Sequence, residues 1–142
     1  MTEQSSPEQP APAGSPQANS ARLRVATGPL TGPVLCRVVS MVLARANCPV
    51  DRLDEAMLIC DAISAHAPQH ANDGHLAFTL LTDAHGVQLR VGELTKQGAR
   101  QLVKDAVVPG VGNVLERLTN ELRYEQSQDG AREELVLGIS FD

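Results

Sequence analysis

Two apolar runs of period two, Leu76-Phe78-Leu80 and Val87-Leu89-Val91, flank the turn-forming residues 83–86 in a chain of 142 residues. So short a connection makes them an antiparallel hairpin, because parallel neighbours need a crossover of a dozen or more residues. Alternation puts every apolar side chain on one face. That face has to be covered by another layer, since a lone hairpin is barely stable in water.

The chain carries helical stripes that can supply the cover. Leu35, Val38, Val39, Val42 and Ala46 predict a helix over 33–46, ended by Asn47 ahead of Pro49 and Asp51. Leu53, Ala56, Met57, Cys60, Ile63, Ser64 and Ala67 predict a second helix with one buried stripe. Leu58, Ala62 and Ala65 lie on its other side with Asp54 and Asp61, so this helix is expected both to pack on the sheet and to front a pocket or partner.

Leu23 and Val25 predict an opening strand, and Leu135, Leu137, Ile139 and Phe141 a closing one. Residues 68–74 read as a polar loop, and Gly92 is expected to close the hairpin. A loose helix over 95–107 is broken at Pro109. A further helix is expected from Gly110 to Leu122, with Val114, Leu118 and Leu122 on one face, and a turn over 126–131. The fold class that follows is α/β in the α+β sense: a two-layer sandwich with helices on one face of a mixed, largely antiparallel sheet. Residues 1–20, mostly Pro, Ser, Gln, Ala and Glu without apolar periodicity, read as a disordered tail, and 21–142 as one folded domain.

Composition removes several function classes. A net charge of -5 offers no footprint for a phosphate backbone, and with two Phe, one Tyr and no Trp there is no base-stacking platform, so direct nucleic-acid binding is not expected. Lys occurs only at Lys96 and Lys104, and this preference for Arg reads as the mark of a GC-rich bacterial genome. Cys36, Cys48 and Cys60 lack CxxC spacing, and with His66, His70, His75 and His85 they show no zinc pattern, so reduced thiols and no metal are expected. No basic segment precedes an apolar stretch, and no run of 18 apolar residues occurs. The expected setting is the cytoplasm, without a membrane. Ser40 and Ser64 fall inside helices, with no strand and elbow to make either a nucleophile.

The order strand, helix, helix, hairpin, lid, glycine turn, helix, strand, from about Leu23 to Phe141, resembles the GHKL (Bergerat-like) ATPase module. The form it resembles is the short one of bacterial serine-kinase-type anti-sigma factors. In that family the second helix carries a Glu for proton chemistry and, four residues on, an Asn for magnesium. The resemblance places Asp61 and Ala65 at those positions, a shortened acid and a lost metal ligand. The family's adenine-binding Asp-x-Gly-x-Gly corresponds to Val91-Gly92-Glu93-Leu94-Thr95, with Glu93 in place of Asp and the later glycines missing. Gly110-Val111-Gly112 keeps the second glycine element. It reads either as a phosphate cradle at a helix start or as a plain tight turn. Asp61 and Glu93 likewise read either as nucleotide contacts or as solvated acids.

Lys96, Arg100 and Lys104 recur at i, i+4, i+8 on the expected lid, as a solvated face or as a contact for an acidic partner or for nucleotide phosphates. What the resemblance implies is a homodimeric anti-sigma regulator, pairing through its sheet edges, that sequesters an RNA polymerase sigma factor and is displaced by an anti-anti-sigma antagonist. ATP-dependent kinase activity is then weak or absent, and magnesium has no side chain to hold it. The alternatives are an active serine kinase that phosphorylates the antagonist, and a sensor that binds a nucleotide or second messenger in a repurposed pocket.

Overall fold

The computed structural model describes residues 19–142. The tail expected over 1–20 therefore lies outside the described residues except for Asn19 and Ser20, which extend the first strand. Strand β1 (Asn19–Ala26) leads to helices α1 (Thr31–Arg45) and α2 (Val50–His66). Two short 3-10 turns then precede the hairpin β2 (His75–Thr82) and β3 (Gly86–Thr95). After it come α3 (Gly98–Asp105), a two-strand ribbon β4 (Val107–Val108) and β5 (Gly112–Asn113), α4 (Val114–Leu118), β6 (Glu121–Gln126) and β7 (Arg132–Ser140).

The five long strands form one sheet in the order β1-β2-β3-β7-β6, antiparallel at each pairing. The helices pack on one of its faces, which is the expected α+β sandwich. Helix α1 starts where the Thr31 hydroxyl accepts from Gly28 N at 3.0 Å and donates to Ala26 O at 3.1 Å, tying the helix to the end of β1. It buries Leu35, Val39 and Leu43 at four-residue spacing. Asn47, at φ 58°, ends it: Cys48 N reaches Leu43 O and Asn47 N reaches Ala44 O, the bond pair of a Schellman motif. Helix α2 buries Ala56, Ile59, Cys60 and Ile63, whereas Leu53 and Met57 are only partly buried at the margin of the core.

Between these helices and the sheet, the hairpin supplies Leu76, Phe78, Leu80, Val87, Leu89 and Val91, and β7 adds Leu135, Leu137 and Ile139. Phe78 is the only fully buried aromatic ring; aliphatic side chains fill the rest. The opposite face is charged. Arg90 bonds Glu125 at 2.9 Å and Glu134 at 2.7 Å, and Arg123 bonds Glu121 at 2.8 Å as well as Glu125. Val136, whose cross-strand neighbours are Arg90 and Arg123, is fully buried on that face, covered by their aliphatic stems.

Several boundaries differ from the sequence reading; the helix expected over 95–107 ends at Asp105, and the one expected from Gly110 starts only at Val114, after the unexpected ribbon. Strand β3 does not end at Gly92; its register to β7 shifts between Val91 and Leu94, a bulge in which Glu93 takes φ 57° and Leu94 returns to the core. The lid helix consequently begins at Gly98 rather than at residue 95. The helix expected to run to Leu122 stops at Leu118, because Thr119 Oγ1 turns back to Leu115 O and Asn120 is held by Gly138 O and Ser140 N on β7. The spacing of Val114, Leu118 and Leu122 reflected a common core reached first by a helix and then by strand β6.

Phe78 is the largest of the fully buried side chains, and Tyr124 and Phe141 pack only at the margin of the core. Phe78→Ala is expected to lower the unfolding free energy by about 3–5 kcal/mol in urea titration. Leu81→Ala, on the same strand but with its side chain partly exposed, should cost far less.

Candidate functional site

The positions assigned to nucleotide chemistry do not converge. Asp61 and Ala65 both lie on the solvent side of α2. The hydrogen-bond partner of Asp61 among the described residues is the Cys36 thiol of α1, which donates to Oδ1 at 3.9 Å. Glu93 points to the other side of the sheet. Its carboxylate pairs with Arg24 Nε at 3.4 Å, across the small Ala77 and Gly92 that occupy the intervening positions. The sheet thus separates the two acids that a single pocket would need together. Ala65 presents no atom that could hold a cation.

Gly110 and Gly112, at φ 82° and 96°, close the turn of the β4–β5 ribbon, where a side chain would strain the backbone. Three amides of this turn and of the helix start that follows are already engaged. Val111 N bonds Val108 O, Val114 N bonds Ala106 O, and Glu116 N bonds the Oδ1 of Asn113, which caps α4. Of the two sequence readings, the tight turn is the one these contacts describe. These residues do not fit a magnesium-bound nucleotide.

The thiols are not poised as nucleophiles either. Burial, reinforced by the neighbouring Cys36, pushes the Cys60 thiol far above the usual range. Burial and the charge of Asp61 raise Cys36 in turn. Among the described residues no three His, Cys, Asp or Glu side chains are grouped to hold a metal, and no helix is long and apolar enough to cross a membrane.

What the fold does assemble is a cleft of about 470 Å³ where α3, the ribbon, α4 and β6 meet. Arg100 and Lys104 line it, whereas Lys96 precedes α3 and stays outside. The guanidinium of Arg100 lies 4.5 Å above the Tyr124 ring. The wall is rigid because Asn113, besides capping α4, donates to Val103 O at 2.6 Å and so fastens the ribbon to α3.

Two further contacts fix α3, and neither was singled out from sequence. Glu133 is only 3% exposed and accepts from Ala99 N at 3.1 Å, so a carboxylate from β7 satisfies an N-terminal amide of the helix. Its signal was present in the alternation Glu133, Leu135, Leu137, which puts it on the core face. At the other end His70 Nε2 meets Asp105 Oδ2 at 3.1 Å, and Gln101 donates to the second oxygen. The hydrogen bond from His70, followed by that from Gln101, holds the Asp105 carboxyl below its usual range.

Glu133→Ala leaves an amide buried without a partner. It is expected to cost about 1–3 kcal/mol and to speed hydrogen exchange across 98–105 selectively, whereas Glu134→Ala should leave that exchange unchanged. Asp105 has a lower pKa folded than unfolded, so its contribution is full above the ordinary carboxylate value of 3.8 and is lost as pH falls through the depressed one. In urea titrations at stepped pH, the stability gap between the native protein and Asp105→Asn should be present at about pH 5 and shrink progressively as the pH falls below 3.8. In comparison with known proteins, no protein-family model and no curated protein matches this chain.

Proposed function

We propose that this domain is a protein-binding regulator of the anti-sigma type, acting in the cytoplasm by sequestering a sigma factor rather than by transferring phosphate. The observation that carries the proposal is the separation of Asp61 from Glu93 by the sheet, taken with the resemblance of the sequence to the anti-sigma module. Phosphoryl transfer depends on positioning and on a metal to neutralise developing charge. A chain that keeps the scaffold without assembling those groups retains surfaces, not chemistry. The helical layer offers one: Leu30, Val34 and Met41 at α1 and Leu58 on α2 are exposed apolar side chains, with Met41 57% and Leu58 54% accessible. Among the described residues β1 has a strand neighbour on one side, β2, and its other edge is where a second copy would pair.

Two measurements test the reading. Co-purification against every sigma factor of the source organism should yield a binder that Met41→Glu with Leu58→Glu releases, and a full panel without one overturns the proposal. ATP turnover with magnesium should stay at background, because loss of the metal ligand alone removes on the order of a thousandfold in rate. Turnover equal to that of intact kinases would favour the kinase reading instead.

A further inference from the structure

The ion pairs of this protein are unevenly spent. Arg24, Arg52, Arg90 and Arg123 each meet a carboxylate. Arg100 and Lys104 have no carboxylate ion-pair partner among the described residues, as is also true of Arg22, Arg37, Arg45, Lys96, Arg117 and Arg132; what sets the two apart is that both line one cleft. Both stand on one face of α3, one turn apart, at the mouth of the cleft whose apolar wall is Val103 and Val107. The ribbon beside it exposes further apolar side chains: Val107, which lines the cleft, is 58% exposed, and outside the lining Val108 is 41% and Val111 49% exposed.

We propose that this cleft binds an extended acidic segment of a partner protein, with alternate carboxylates on Arg100 and Lys104 and an apolar side chain on Val107 and Val111. The geometry favours a peptide over a small anion for two reasons. Side chains one helical turn apart are about 5–6 Å from each other, close to the spacing of about 7 Å between same-face side chains of an extended strand, so two successive acidic groups are met at once. A small anion would also leave the valines of the ribbon uncovered. Glu116, on the rim beside α4, sets the direction by repelling acidic groups from that end. The Tyr124 ring beneath it, 4.5 Å away, restrains the Arg100 guanidinium, so it loses less freedom on pairing. The cleft is separate from the apolar α1–α2 face and does not rest on the sigma-factor reading.

The test uses the full chain and a fluorescein-labelled synthetic peptide with a Glu-Leu-Glu-Leu-Glu core between Gly-Ser flanks, read by anisotropy and by amide shifts. Saturable binding should perturb amides over 98–108 and 111–116 and at Tyr124. It should weaken about tenfold or more in Arg100→Glu with Lys104→Glu, and several-fold in Val107→Ser. Arg22→Glu with Arg37→Glu, an equal charge change elsewhere, should leave it unaltered. The milder pair Arg100→Gln with Lys104→Gln gives the same comparison should the double reversal unfold. No binding, equal loss in the Arg22/Arg37 control, or equal affinity for the Gln-for-Glu peptide overturns the proposal. Competition by citrate as strong as by unlabelled peptide overturns it in favour of a small-anion site. A sigma panel that fails while the peptide binds removes the proposed function and leaves this one standing.

Discussion

Burial of the β2–β3 hairpin beneath α1 and α2 is the interaction on which every other part of this molecule depends. Leu76, Phe78, Leu80 and Val91 are fully buried, and Val87 and Leu89 nearly so, against Leu35, Val39, Leu43, Ile59 and Ile63. At about 25 cal/mol per Å² of apolar surface, side chains of this kind contribute roughly 1.5–3 kcal/mol each before the entropy of ordering is set against them. Because one ring and many aliphatic side chains fill the layer, its stability comes from many small contacts. The hairpin also sits at the centre of the sheet, so β1 and β7 take their register from it.

The second constraint acts where the hairpin ends. The bulge at Glu93 shifts β3 by one residue, which returns Leu94 to the core and sends the chain into the left-handed Gln97 and then α3. Glu133 holds one end of that helix from β7, and the pair of His70 and Asp105 holds the other. A lid in the sense of a free flap is not what these contacts describe. It is a helix clamped at both ends, carrying Arg100 and Lys104 on its outer face and the apolar ribbon at its exit.

Charge is distributed to match. The sheet face without helices carries a ladder in which Arg24, Arg90 and Arg123 are each paired, and every exposed pair there is worth only about 0–1 kcal/mol. Its role is to keep an uncovered sheet face polar and self-satisfied. The cleft beside α3 is the contrast, with cations left unpaired next to exposed valines. It is there that the proposed acidic segment would pair.

The sequence by itself determined the hairpin, both large helices and the closing strand, because periods of two and 3.6 decide which side chains share a face before any long-range contact forms. It also determined that Ala65 holds no metal and that Asn47 ends α1. Only the tertiary structure decided the rest. Strand β6 was hidden because Glu121-Leu122-Arg123-Tyr124 is an edge segment, half polar, whose strand state comes from pairing with β7. Whether Asp61, Glu93 and Gly112 meet depends on which side of the sheet each faces, and a bulge of one residue sets that for Glu93. The spacing of Lys96, Arg100 and Lys104 suggested one stripe. The start of α3 at Gly98, fixed by a carboxylate 34 residues further on, divided it into a cleft pair and an outlier. Local pattern chose the elements, and contacts between residues distant in the chain chose which side chains face one another.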